Sequence, residues 1–181
     1  MTIITDEQVA YINDGGVIAY PTSTLPGLGC LPTKEGLDTL FELKSRSPDK
    51  PVSIGVASLD QVAHMVDIDP RIVEFVDAFP RGGLSVIYPA QQSLDARIGG
   101  QSVAIRVFDH PSARALALAV GPVTATSANE AGEEPANTVA EAASELGLPD
   151  VAVVAGNRET GPGSTFVKID FDSDEPLVTI I

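Results

Sequence analysis

Short apolar runs alternate with amphipathic stretches along this chain, as expected for strands followed by helices. Leu37, Leu40 and Phe41 recur three or four positions apart, so they share one face of a helix predicted over about 35–45 and capped by Thr33. Two capping-box spacings precede further predicted helices, the first before 6–14 and the second before 59–66. Other helices are predicted from the Asp-Pro pair at 69–70, over 111–120 and over 139–146, and strands at 17–20, 51–57, 84–88, 103–107, 123–127, 151–155, 164–169 and 176–181.

This alternation predicts an α/β fold in which helices cover an open sheet. Consecutive strands after residue 151 indicate a mixed parallel and antiparallel sheet, with antiparallel pairs near the C-terminus. No repeat, low-complexity tract or linker interrupts the pattern, so residues 1–181 are predicted to form a single domain.

Composition narrows the class of protein. The chain has 25 acidic and 11 basic residues, a formal net charge of −14, which disfavours strong direct binding to nucleic acid. The apolar runs are much shorter than a membrane helix, and the N-terminus lacks a basic segment followed by an apolar one. A single cysteine, Cys30, suits a reducing compartment, and we expect a cytoplasmic protein with no membrane partner.

Three of the few cations cluster: Lys44, Arg46 and Lys50 fall within seven positions. They could simply complement the negative end of the preceding helix, or remain solvated as surface charges. Because Lys50 lies in a loop beyond Pro48, the group could instead converge on a polyphosphate, for which arginine and lysine are suited. Spacing alone leaves both interpretations open.

Polar residues and glycines follow several strands, where ligands of α/β sheets usually bind. Each of these loops alone could be an ordinary turn. Arg106 alternates with apolar neighbours on its strand, so it either faces solvent or lines a cleft where it would bind a carboxylate. Thr22, Ser127, Asn129 and Ser164 lie in the loops at the strand ends.

Common catalytic motifs are missing from the sequence. It has no G-x-x-x-x-G-K-[ST] phosphate loop, no H-E-x-x-H and no paired C-x-x-C. His110 precedes a proline as expected for a helix cap, and His64 lies in a predicted helix, so a Ser-His-Asp triad has no natural candidate.

Taken in order, several blocks resemble the YrdC-like family of threonylcarbamoyl-adenylate synthases in its single-domain form. They are GGVIAYPTSTLPGLGC (15–30), LKSRSPDKPV (43–52), SVAIRVFDHP (102–111), PVTATSANEAG (122–132) and GPGSTFV (161–167), and they span nearly the whole chain. The resemblance implies a YrdC-like sheet with a central ligand cleft.

The resemblance also implies a reaction. L-Threonine and bicarbonate or CO2 would form a carbamate, which attacks the α-phosphate of ATP to give threonylcarbamoyl-AMP and pyrophosphate. Mg²⁺ would accompany ATP as substrate, with no prosthetic group and no protein-bound metal site. The product would pass to the machinery that transfers the threonylcarbamoyl group to tRNA.

Site residues carried over by position fall into two sets. Those implied for ATP are Lys44, Arg46, Lys50, Ser102, Ser127 and Asn129, the first two also assisting catalysis, and those implied for threonine are Thr22, Arg106 and Ser164.

The chain departs from the family pattern at three positions. Ser23 stands where an acid is usual, Pro26 where an aromatic is usual, and Gly55 where a histidine is frequent. Two rivals to the synthase therefore stay open: a non-catalytic nucleotide- or RNA-binding relative, and an enzyme of the same fold that uses another small amine or carbamate.

Overall fold

The computed structural model of the chain describes residues 4–80, 82–156, 163–170 and 177–181. Its helices and strands follow the predicted alternation, although some bounds differ. The helices are α1 (Asp6–Asn13), α2 (Lys34–Leu43), α3 (Pro70–Asp77), α4 (Pro111–Val120) and α5 (Val139–Glu145). The strands are β1 (Ile18–Tyr20), β2 (Gly27–Gly29), β3 (Ser53–Val56), β4 (Leu84–Pro89), β5 (Ser102–Val107), β6 (Val123–Ser127), β7 (Thr165–Asp170) and β8 (Leu177–Ile180).

The strands form one sheet in the order β1-β2-β6-β3-β5-β4-β7-β8. The β3–β5 and β4–β7 pairs are parallel, and the other neighbours are antiparallel. The predicted mixed sheet is therefore confirmed. Antiparallel pairing occurs at β7–β8, as predicted, and also through the middle of the sheet.

Apolar side chains pack against both faces of the sheet. On one face, Leu37 and Leu40 of α2 are fully buried against strand residues such as Ile54, as the amphipathic pattern of this helix predicts. On the other face, α1 and α4 cover a second cluster that includes Tyr20 and Phe108. The described helices are all too short or too polar to cross a membrane.

Local capping signals are largely confirmed. Thr5 and Gln8 form a reciprocal capping box on α1, and His110 caps α4 through its Nδ1 atom. The second predicted box is wrong, because residues Leu59–Val62 form only a 3₁₀ turn without a side-chain cap. Gln61 instead accepts from the Ala57 amide at 2.7 Å and donates to the Ala117 carbonyl at 2.8 Å, which ties the turn to α4.

Two strand predictions fail for identifiable reasons. The predicted strand 151–155 begins as a 3₁₀ turn after Pro149, and only Val153 forms an isolated bridge, with Ala19 of β1. Conversely, Gly27–Gly29 forms β2, although the glycines made this stretch resemble a loop. Its two glycines leave space for the Tyr20 ring, whose atoms would lie within 3.0 Å of a Cβ at either position.

Candidate functional site

A cavity of about 250 Å³ opens on the sheet face that carries Tyr20 and Arg106. Strand ends far apart in the sequence contribute to it, because β6 lies between β2 and β3 in the sheet. The lining residues come from β1 and the loop after it, from β2, from the loop between α2 and β3, from β3, β5 and β6, and from the start of β7 with the two residues before it. They are Tyr20, Thr22, Thr24, Leu25, Pro26, Gly27, Arg46, Pro51, Val52, Ser53, Arg106, Ala125, Thr126, Ser127, Gly163, Ser164 and Phe166.

Arg106 is the buried cation of this cavity. Only 8% of its surface is exposed, and burial lowers the pKa of its guanidinium. Nε donates to the Gly82 carbonyl at 2.9 Å, and Nη2 donates to Thr24 Oγ1 at 2.8 Å. Among the described residues no carboxylate forms an ion pair with it. Since a buried charge without a counter-ion is costly, the guanidinium is suited to bind an anionic ligand.

A directed chain of hydrogen bonds continues from Arg106 into the loop after β1. The Thr22 hydroxyl donates to the Leu25 carbonyl at 2.7 Å and lies 3.2 Å from the Thr24 hydroxyl. The Thr24 amide also donates to it, at 3.0 Å. Because Thr22 Oγ1 gives its proton to Leu25, the Thr24 hydroxyl must be the donor between the two threonines. Both lone pairs and the proton of Thr22 are thus engaged, and its predicted contact with threonine stays a prediction.

Ser164, the residue before β7, lies at another side of the cavity. Its hydroxyl lies 3.0 Å from that of Ser85, a fully buried residue on β4. Each hydroxyl carries one proton and two lone pairs, so this single bond leaves Ser164 with further capacity for a ligand.

Lys44 is buried at the end of α2, with 1% of its surface exposed. Its Nζ donates to the Ser127 carbonyl at 2.6 Å and to the Asn129 carbonyl. Burial and the neighbouring Arg46 lower its pKa to about 8. The side chain does not line the cavity, and its ammonium fixes the backbone that follows β6. Its predicted role as a phosphate ligand stays a prediction.

The turn after α2 aims Arg46 into the cavity. Ser45 has a φ of 48°, in the left-handed region, and the amides of Ser45 and Arg46 close a Schellman motif on Glu42 and Phe41. Arg46 then donates from Nε to the Lys50 carbonyl at 2.6 Å and from Nη2 to the Pro51 carbonyl at 3.1 Å. Glycine usually occupies this position, so serine carries a conformational cost there.

The remaining predicted residues lie around the cavity rather than in its lining. Lys50 is exposed beside Arg46. Asn129 donates from Nδ2 to two loop carbonyls, both at 2.8 Å, while its buried Oδ1 has no partner. Ser102 lines an adjoining cavity of about 260 Å³. The two cavities share Pro51, Val52, Ser53 and Phe166, so they form neighbouring compartments.

Five of the nine predicted residues therefore line one cavity: Thr22, Arg46, Arg106, Ser127 and Ser164. Sequence reasoning missed Tyr20, Ser53 and Phe166 as lining residues. Tyr20 and Phe166 read as apolar core positions, and Ser53 lies inside a strand rather than after one. The alternation of β3 alone could have placed Ser53 on the cavity side.

Two of the departures from the resemblance fall on the loop after β1. Pro26 lines the cavity, and its carbonyl accepts from the Ala128 amide at 2.9 Å. Ser23 Oγ is buried and has no hydrogen-bond partner. A Cβ atom on Gly82 would lie 2.3 Å from it, so the two segments pack closely.

Sequence comparison places the chain in a family. The Sua5/YciO/YrdC family model, whose description reads telomere recombination, matches residues 10–179. The chain belongs to this family. The threonylcarbamoyl-AMP synthase of Aliivibrio fischeri is 35% identical over 163 residues, covering 86% of this chain and 87% of that protein. The synthase of Marinobacter nauticus is 39% identical over 131 residues, 69% of each.

A solved structure of the same family supports the fold. The crystal structure of P. abyssi Sua5 complexed with L-threonine superposes with a TM-score of 0.80 at 26% identity. It covers 94% of this chain, which spans about half, 51%, of that Sua5 chain. The mixed open sheet flanked by helices is thus the fold of the Sua5/YciO/YrdC family.

Proposed function

We propose that this chain is an L-threonylcarbamoyladenylate synthase, a nucleotidyltransferase that uses L-threonine, bicarbonate or CO2, and ATP. The observation that carries the proposal is Arg106, a buried cation without a carboxylate partner among the described residues, in a cavity that Arg46 also lines. One cation would bind the threonine carboxylate and the other the phosphates. The synthase names of the bacterial relatives support the same activity.

The threonine end of the cavity would lie at Arg106. Its fork is held by Gly82 and Thr24, so its direction is set before the ligand arrives. Fixing the donor in advance reduces the ordering cost of binding. Ser164, which has free hydrogen-bonding capacity, would contact the same amino acid.

The nucleotide end would lie at Arg46 and Ser127, with the adjoining cavity beside Ser102 as the space for the base. Lys50 is close enough in the chain to add charge to the outer phosphates. The threonine nitrogen would attack the carbon of CO2 and lose a proton, giving a carbamate. A carbamate oxygen would then attack the α-phosphorus, the bond to the β-phosphate oxygen would break, and pyrophosphate would leave. Holding both reactants in line contributes most to such a reaction.

Mg²⁺ would arrive as the complex of ATP. In the described part of the chain, no group of three or more histidine, cysteine, aspartate or glutamate side chains could hold a metal ion. Triphosphate oxygens and water would supply most of its ligands, as is common for Mg²⁺. We further propose a cytoplasmic enzyme whose product passes to the tRNA threonylcarbamoyl-transferase machinery.

The test is pyrophosphate release from ATP and Mg²⁺, with L-threonine and bicarbonate added singly and together, at low and at molar salt. We expect release only when both are present, with threonylcarbamoyl-AMP detected by mass spectrometry. ATP binding without release under any condition would favour the non-catalytic nucleotide-binding relative. Pyrophosphate release with a different amine in place of threonine would favour an enzyme of the same fold that uses another small amine.

A further inference from the structure

Phe108 occupies the space of a missing side chain on β3. Gly55 lies two residues from Ser53, so a side chain there would point to the cavity side of the sheet. A Cβ atom on Gly55 would lie 1.9 Å from Cζ of Phe108 and 2.6 Å from both Cε atoms. The ring therefore lies directly against the Gly55 backbone, and only glycine fits beneath it.

The same ring supports Tyr20, which lines the cavity. The two rings meet edge to face with centroids 5.6 Å apart and an interplanar angle of 71°. Tyr20 is fully buried, and its hydroxyl donates to the Thr124 carbonyl at 3.0 Å. Phe108 is 2% exposed and does not line the cavity, so its effect on a ligand would be indirect, through a neighbour such as Tyr20.

Tyr20 and Arg106 belong to the lining of one cavity. Burial raises the pKa of the Tyr20 hydroxyl, and the charge of Arg106 partly opposes this shift. Tyr20, Thr24 and Arg106 line the same cavity, and Thr24 is bonded to the guanidinium. Movement of the Tyr20 ring would therefore change the space available beside Arg106.

We propose that Phe108 is a positioning residue for amino-acid selection: it fills the side-chain space of Gly55 and holds Tyr20 as the wall that limits the size of the amino acid bound at Arg106. This inference rests on the proposed function, since it assumes that an amino acid binds there. It also accounts for the glycine at position 55, because a larger residue on β3 and a phenylalanine at 108 exclude each other.

The first test compares Phe108→Ala with the wild type, using L-threonine and the bulkier L-leucine as competing amino acids. Without the ring, Tyr20 can move back and enlarge the cavity. We expect the preference for threonine over leucine in kcat/KM to fall by about tenfold, the scale of a methylene in an apolar pocket, with the KM for ATP unchanged. Phe108→Leu should restore part of the preference.

A purely structural role would give a different pattern. Partial unfolding lowers the active fraction equally for both amino acids, so their kcat/KM ratio would stay constant. An unchanged ratio in an active Phe108→Ala variant would overturn this proposal alone. A wild-type chain that forms no threonylcarbamoyl-AMP would overturn the proposed function and this proposal with it.

A second test needs no turnover. Gly55→Ala should lower the unfolding midpoint strongly, because its Cβ would overlap the Phe108 ring. In the Phe108→Ala background the same change should cost little, so the double variant should be more stable than the sum of the single effects predicts. Additive effects would show that the ring and Gly55 are not interlocked and would refute the proposal.

Discussion

Replacing Lys44 with methionine removes the ammonium that anchors the loop after β6. The side chain has nearly the same length, so its apolar part stays packed while the bonds to the Ser127 and Asn129 carbonyls are lost. Hydrogen bonds to a charged group contribute roughly 1.5–3 kcal/mol each. Because methionine also avoids the cost of burying a charge, we expect a net loss of about 3 kcal/mol in the free energy of unfolding.

Denaturant unfolding of the unliganded protein measures this loss. Lys50→Met is the matched control: the same substitution, six residues along the chain, at an exposed side chain. It should leave the free energy of unfolding within about 0.5 kcal/mol of the wild type.

Nucleotide binding then separates anchoring from direct phosphate contact. If Lys44 orders the loop that carries Ser127 and Asn129, Lys44→Met should lower the binding affinities for ATP and for AMP by the same factor, as measured by titration calorimetry. If Lys44 instead contacted the outer phosphates directly, its loss would lower the affinity for ATP far more than the affinity for AMP. A Lys44→Met variant as stable as the Lys50→Met control would refute the anchoring argument.

Three further outcomes are expected. Ser45→Gly relieves the left-handed backbone and should raise the free energy of unfolding by about 1 kcal/mol, and a decrease in denaturant titration would contradict this. Arg106→Lys keeps the charge but loses the fork, so the KM for threonine should rise at least about tenfold while that for ATP stays constant; equal effects on both would refute the assignment. The third concerns pH. The pKa of Lys44 is lowered from 10.5 to about 8, so between these values the unfolded chain binds more protons than the folded chain. The stability of the wild type relative to Lys44→Met should therefore rise with pH through this window, and a flat difference would contradict the lowered pKa.

Local signals in the sequence predicted local structure well. The capping box at Thr5 and Gln8 and the apolar face at Leu37 and Leu40 each depend on residues a few positions apart, so their physics is contained within the segment. Gln61 has the same spacing from Ser58, yet its side chain bonds Ala57 and α4 instead. The Ala117 carbonyl of α4 comes from a distant part of the chain, and the bond to it replaces the expected cap.

The site was predictable in composition but not in arrangement. The sequence identified Lys44 and Arg46 as a cationic cluster, but it could not place one on buried carbonyls and the other in the cavity. Which of the two side chains reaches the buried carbonyls depends on how closely the backbone after β6 passes the end of α2. The sequence predicts Tyr20 as part of a buried strand, and its place beside the cavity depends on two glycines of β2 that only the sheet pairing brings next to its ring.

The position of β6 between β2 and β3 has a consequence for how the chain folds. Gly27 pairs with Ser127, and Ser53 pairs with Ala125, so the N-terminal strands have no bridge to β3 until residues about a hundred positions later are in place. Contacts this distant in sequence carry a large loop-closure cost and slow folding relative to helical proteins of similar size. During synthesis, the backbone edges of β2 and β3 that pair with β6 would remain without this partner until β6 leaves the ribosome.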